Sequence, residues 1–326
     1  MAMAYIGIDI SKATFDACLL RHQGKPLHKA FSNSDNGFRK LLRWVESQAA
    51  DTQLRFCMEA TGVLGNALAM FLAEAGLCVS VENPARIKHF GISLGNGNKT
   101  DKADALTIAL YCRDRQPAAW RLAAPEMREL VALLRRYESL QSLLQQEQCR
   151  LAEPALIPTV KQSLEQTISF LQEEMRKLHE AIEQHVDSLP QLRRDKALLE
   201  TIPGIGRLTA LRILAELPDV SQFDRAQAAA AYGGLNPREY RSGSSVHHRT
   251  RMSKSGNKRL RKALYLPAVC AVRCNPLVRE IYQRLLAAGK PKMVALGAAM
   301  RKLLMIAYGV LKSQRPFTPH NLHQAA

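Results

Sequence analysis

The chain contains no C-x-x-C pair, and its seven cysteines, at 18, 57, 78, 112, 149, 270 and 274, are odd in number and scattered. That pattern argues against a zinc ribbon and against a disulfide framework, so a reducing, cytoplasmic setting is expected. Cys270 and Cys274 lie four apart on a predicted helix with no second ligand pair nearby, and are read as small core residues. No uninterrupted apolar run reaches spanning length, and the opening MAMAYIGID has neither the charged flank nor the cleavage site of a secretory signal. Acidic residues are almost missing from the C-terminal quarter, where from Tyr240 onward Glu280 stands alone against seventeen Lys and Arg.

The 326 residues are 47% hydrophobic, enough for a substantial core divided over two or three structural units. A formal net charge of +17 draws the surface toward polyanions, because each phosphate neutralised releases condensed counterions. Nucleic acid is therefore the expected partner, and a membrane surface the rejected rival.

Residues 5–20 read as two short strands, and 54–58 and 78–81 as two more, each followed by a helical stretch. The helices are predicted near 37–45, 65–75, 85–90 and 101–112, which makes an α/β unit over 1–124. Pro125 then opens a helix with Met127, Leu130, Leu134, Tyr137, Leu144 and Leu151 at steps of three, four or seven. Pro154 and Pro158 interrupt it, and a second apolar series runs from Leu164 to Leu189 with His185 in its one polar slot. Residues 125–195 are thus expected to be a coiled-coil helical hairpin serving as a spacer or dimerisation arm. Residues 196–326 read as mainly helical and compact to about Ser313, with a loose tail.

Four acids stand out. Asp9 ends an apolar strand, on the face opposite Tyr5 to within one pleat, and Glu59 ends FCMEATG, where Gly62 lets the chain turn. In NKTDKADA, Thr100 can cap a helix whose Asp101 and Asp104 share one face about 5–6 Å apart. Four hard oxygen donors from two strands and a helix suit Mg²⁺ or Mn²⁺, and two such ions could clamp both oxygens of a phosphodiester exchange.

TIPGIGRLTALRILAEL (201–217) has the form of a helix-hairpin-helix whose Gly204 and Gly206 let backbone amides approach a phosphate. Further on, a Gly- and Ser-rich loop with Ser242, Ser244 and Ser245 is bracketed by Arg238, Arg241, Arg249, Arg251, Lys254 and Lys258. Such a loop can grip phosphate, and a hydroxyl held among cations can also attack one. His247 and His248 are candidate bases, read as solvated in a flexible loop.

Taken together, GIDISK, MEATG, KTDKADA, IPGIG, YGGLNPREYRSGSSV and RMSKSGNKRLRKALYLPA resemble, in order, the DEDD transposases of bacterial insertion-sequence family one hundred and ten. The resemblance implies a RuvC-like, ribonuclease-H-type N-terminal domain, a coiled-coil linker and a C-terminal transposase domain. It implies that Ser242, opening the S-G-S-S run, is the nucleophile joined covalently to DNA. It implies also that Asp9, Glu59, Asp101 and Asp104 bind Mg²⁺ and act with that serine in a composite site between subunits of a dimer or tetramer. A structured noncoding guide RNA, the bridge RNA, pairing with donor and target DNA, is implied by resemblance alone. Two other readings stay open from the residues: a metal-dependent nuclease or junction resolvase using activated water, and a nucleic-acid-binding protein without catalysis.

Overall fold

Alternate side chains of the first strand decide how the N-terminal sheet is covered. In this computed structural model, which describes residues 2–319 except 51, 61, 63, 96–99, 218 and 243–245, and no side chain from 240 to 249, β1 spans Met3–Ile10. Ile6, Ile8 and Ile10 enter one core with Phe15, Phe38 and Leu72. Tyr5, Gly7 and Asp9 take the other face, as a period of two requires. Asp9 therefore shares the face of Tyr5 and does not oppose it, a correction to the expectation above.

The strands β2 (Thr14–Leu20), β3 (Leu27–Ser32), β4 (Gln53–Glu59) and β5 (Cys78–Glu82) complete a five-stranded sheet of order β3-β2-β1-β4-β5. β1 is antiparallel to β2 and parallel to β4, and β4 is parallel to β5. β3 was not expected from the sequence. Its mostly exposed run LHKAFS carries little apolar alternation, and only pairing to β2 identifies it. Helices α1 (Asp35–Gln48) and α2 (Asn66–Glu74) cover the isoleucine face. Helices α3 (Pro84–Ser93) and α4 (Asp101–Arg115) cover the Tyr5 face.

Gly7 is what lets α4 lie on the sheet. A Cβ there would stand 2.2 Å from the Ala109 nitrogen and 2.3 Å from the Ala105 oxygen, so any side chain at this position would push the helix away.

The chain divides into two compact units, Met1–Ala123 and Ala124–Ala326. In the second, α5 (Pro125–Leu151) and α6 (Pro158–Asp187) form the hairpin, each started by a proline in its first turn. Leu130, Leu134, Ile182 and Val186 are packed at its base, and the His185 ring meets the Glu126 carbonyl at 2.8 Å. Helices α7 (Pro190–Glu200), α8 (Arg207–Glu216), α9 (Ala226–Tyr232), α10 (Lys258–Ala263), α11 (Tyr265–Cys274), α12 (Pro276–Ala287) and α13 (Lys292–Ser313) follow.

A two-stranded antiparallel hairpin, β6 (Pro237–Ser242) and β7 (Val246–Met252), interrupts these helices. The region was expected to be loop within a helical surround. Tyr, Val and Thr, which favour strands, lie in the two segments, and His247 and His248 lie on β7 and not in a flexible loop. Gly243, Ser244 and Ser245 lie outside the described residues.

α13 is long and apolar enough to cross a membrane by length and composition, and 56% of its apolar window is buried in the protein. Its Ala299, Leu303, Leu304 and Ala307 are wholly enclosed in the core of the second unit, the role expected of a central helix. Cys270 and Cys274 are exposed, which corrects their reading as core residues. The buried face of α11 is instead Pro267, Ala268 and Ala271, and the thiols lie off it.

Candidate functional site

Two strand ends and one helix start deliver the four acids. Asp9 is the penultimate residue of β1, and Glu59 closes β4, one residue past the Ile8–Met58 register pair. Thr100 caps α4 by accepting from the Ala103 amide at 3.2 Å, as expected. Asp101 and Asp104 then occupy the first turn, where the helix dipole favours negative charge.

The structure brings these four together electrostatically. The Asp9 carboxyl is pushed up from its ordinary value to about 6, first by burial and then by the charges of Asp104, Asp101 and Glu59. Only a hydrogen bond from the Ile10 amide acts the other way. Among the described residues no three acids, histidines or cysteines are drawn close enough to enclose an ion, so the acids form an open constellation. Its donor set is oxygen only, and its mutual repulsion is what a hard divalent cation would relieve.

Two further acids border the site and escaped the reading of the sequence. Asp16 on β2 is the cross-strand partner of Asp9, and Glu82 on β5 is that of Glu59. Glu82 is engaged by Arg86 at 3.4 Å, whereas Asp16 acts on His28. Strand alternation in TFDACLL marks Asp16, but only register places it beside Asp9. Asn33 was missed as well. Its Nδ2 donates to the Ser11 carbonyl at 3.1 Å and the Leu64 carbonyl at 3.3 Å, tying the loop after Asp9 to the loop after Glu59.

In the second unit, the P-G-I-G turn joins α7 to α8, and its two glycines differ. Gly204 has φ +99°, and a Cβ on it would stand 2.6 Å from the Ala271 Cβ, so it packs against α11. The buried Asn275 holds the same turn by donating to the Pro203 carbonyl. Gly206, by contrast, faces open space at the start of α8 with no side-chain cap.

The serine hairpin is anchored at its base. The Ser253 amide donates to the Asn236 carbonyl at 2.8 Å and the Asn257 amide to the Tyr232 carbonyl at 2.7 Å, interlocking the S-G-N and Y-G-G-L-N segments. Arg301 of α13 donates to the Asn236 side chain. The Ser242 backbone pairs with Val246 at the end of β6, while its side chain, like those of Arg241 and Arg249, lies outside the described residues. Arg238 and Arg251 are exposed and directly opposite each other across the strands. Like charges so placed repel, an arrangement that a bound anion would stabilise. Lys254 and Lys258 are exposed beside them in sequence, before and at the start of α10.

Comparison with known proteins bears on this arrangement. The description "Transposase IS116/IS110/IS902 family" matches residues 196–283, and a DEDD transposase description of the IS110 type matches residues 6–156. The chain is similar to the "Pilin gene-inverting protein" of Moraxella bovis, 36% identical over 319 residues, 97% of this chain and 98% of that protein. Its counterpart in Moraxella lacunata is also 36% identical over the same shares. The "Transposase for insertion sequence element IS1111A" of Coxiella burnetii is 26% identical over 286 residues, 79% of this chain and 75% of that protein. A DNA-acting enzyme of the transposase class is thereby defined, and the chain belongs to the IS110-type family of insertion-sequence transposases.

Proposed function

We propose that the chain is a recombinase that excises and inserts its own mobile element by cutting and rejoining DNA strands through a covalent phosphoserine. The observation carrying this reading is the convergence of Asp9 on β1, Glu59 on β4 and Asp101 and Asp104 on α4, whose charges add to burial in raising the proton affinity of Asp9. The strand order β3-β2-β1-β4-β5, with antiparallel then parallel pairing, favours a RuvC-like, ribonuclease-H-type fold for 1–124. Residues 125–195 then act as the coiled-coil linker and 196–326 as the DNA-joining domain.

Asp9, Glu59, Asp101 and Asp104 are the residues that would hold Mg²⁺ or Mn²⁺. Bound there, the ion supplies charge stabilisation at the phosphate oxygens. The Ser242 oxygen forms a bond to phosphorus as one P–O bond of the DNA strand breaks, and the hydroxyl proton passes to the departing DNA oxygen. Attack by a hydroxyl of another strand reverses the exchange, so the bond is conserved and no outside energy source is needed. Arg238, Arg241, Arg249 and Arg251, with Lys254 and Lys258, hold the phosphates, and the turn at Gly204 and Gly206 contacts the backbone without reading sequence.

The resemblance to the family favours two further parts of this reading: a structured noncoding guide RNA that pairs with donor and target DNA, and a dimer or tetramer as the active form. The bacterial cytoplasm, where its DNA lies, is the expected location. Recombination of the inversion type is a second reading, favoured by similarity over nearly the whole chain to pilin gene-inverting proteins. Circularised or inserted element against inverted segment separates the two in a plasmid assay. A denaturing gel tests the shared chemistry: wild-type protein should carry DNA covalently, and a Ser242→Ala protein that still did so would remove the serine from its role. Hydrolysed ends without joined strands would favour a nuclease. Sequencing RNA that copurifies from the native host tests the guide.

A further inference from the structure

Outside the acids and the serine hairpin, the second unit contains a cleft in which arginines outnumber their counter-ions. It opens between α5, α8 and α10, and its charged lining is Arg135 and Glu138 of α5, Arg212 and Glu216 of α8, and Arg259 of α10. Glu138 is shared: its Oε1 lies 3.1 Å from Arg212 Nε and its Oε2 3.7 Å from Arg259 Nη1. Arg212 also donates to Gln141 at 3.2 Å. Glu216 is committed elsewhere, its Oε2 accepting from Asn257 Nδ2 at 3.0 Å. Two of the cleft's three guanidinium groups thus share one carboxylate.

Arg135 is the third of them, and its Nε is buried with no acceptor. A buried donor left unmatched destabilises the fold, a cost that an anionic oxygen in the cleft would recover. Guanidinium forks match phosphate oxygens in pairs, and three of them around one opening outweigh the two carboxylates of Glu138 and Glu216. The neighbourhood selects a polyanion over a lone carboxylate. α10 exposes Lys258 and Lys262 beside Arg259, and from Tyr240 on the chain holds one acid against seventeen cations.

We propose that this cleft, whose space of about 10 Å³ admits a single oxygen, takes one oxygen of a DNA backbone phosphate between Arg135, Arg212 and Arg259, with Glu138 as the counter-ion that the phosphate displaces. The site adds to the serine hairpin a second, sequence-independent hold, placed where the hairpin arm meets the helix following the P-G-I-G turn. It rests on the reading of the chain as a DNA-binding recombinase.

The test is binding of the full chain to a duplex DNA of arbitrary sequence over a salt series. Arg259→Gln, at an exposed position that leaves the fold intact, and the double variant with Arg135→Gln should weaken binding. The log–log salt slope should become shallower by about 0.9 for a lost phosphate contact. Glu138→Gln should change binding in the opposite direction, tightening it several-fold, which a purely structural ion pair would not do. Inorganic phosphate at matched ionic strength should not compete, since the hold depends on the polyanion. Unchanged slopes in the arginine variants, or loss of affinity in Glu138→Gln with unaltered thermal unfolding, would overturn the proposal. So would weakened binding of structured RNA with duplex DNA unaffected. A wild-type chain that does not bind duplex DNA at all would overturn the recombinase reading itself, a result distinct from failure of the cleft alone.

Discussion

Gly7 of β1 and Ala109 of α4 are in such close approach that a Cβ on Gly7 would stand 2.2 Å from the Ala109 nitrogen. This contact lets α4 lie flat on the sheet with its first turn at the end of the strand carrying Asp9. The geometry of the acids therefore depends on a residue that carries no chemistry.

Substituting Gly7→Ala should accordingly damage both stability and site. Overpacking of this kind costs about 1–3 kcal/mol, and here the clash is with helix backbone that cannot rotate away. A lowered melting temperature together with lost DNA strand cleavage is expected. Unchanged melting would show that α4 does not rest on this strand.

Asp9 predicts an unusual pH dependence. Its folded-state value is raised to about 6 from an ordinary 3.8, so between these the folded protein binds more protons than the unfolded chain. Its contribution to stability is thus greatest below the ordinary value and falls as pH rises toward about 6. In metal-free protein at neutral pH, Asp9→Asn should stabilise the fold by on the order of 1 kcal/mol, after discounting for solvent screening. Thermal unfolding in a chelator measures this, and the gain should shrink when Mg²⁺ is added to the wild type.

The two glycines of the P-G-I-G turn should separate packing from binding. Gly204→Ala combines a positive φ with a 2.6 Å approach to Ala271 and should destabilise by about 1–3 kcal/mol. Gly206→Ala meets no atom and should leave melting nearly unchanged while weakening DNA binding. Equal effects of the two on melting would contradict this division.

Asn33→Ala removes both hydrogen bonds that tie the loop after Asp9 to the loop after Glu59. The expected result is a higher Mg²⁺ concentration for half-maximal strand cleavage with only about 1 kcal/mol lost in stability. A Mg²⁺ titration of cleavage checks it, and Asn33→Ser, which retains one donor, should be intermediate.

Several features were legible because they depend on local rules. Thr100 caps α4 and Pro125 starts the first arm of the hairpin as their sequence predicts, since a first-turn proline loses no helical hydrogen bond, whereas Pro158, read as an interruption, in fact opens the second arm. The helices of the first unit fall close to their predicted positions for the same reason, as apolar spacing reports which face is buried. The elements that escaped are those whose evidence lies across space. β3 is mostly exposed and exists by pairing with β2, and β6, which carries Ser242, pairs with β7. Cys270 and Cys274 looked like core residues because helical spacing cannot say which side of α11 faces inward.

From the amino-acid order alone came the net positive charge, the succession of Asp9, Glu59, Asp101 and Asp104, and the glycine-bearing turns, because composition and short-range spacing are properties of the chain itself. Tertiary structure decided that Asp9 shares the Tyr5 face, that Asp16 and Glu82 stand beside the acids, and that Gly204 packs while Gly206 is open. It also decided that Glu138 serves two arginines from separate helices. Strand register and close packing set these relationships, and both arise only when segments distant in sequence share one volume.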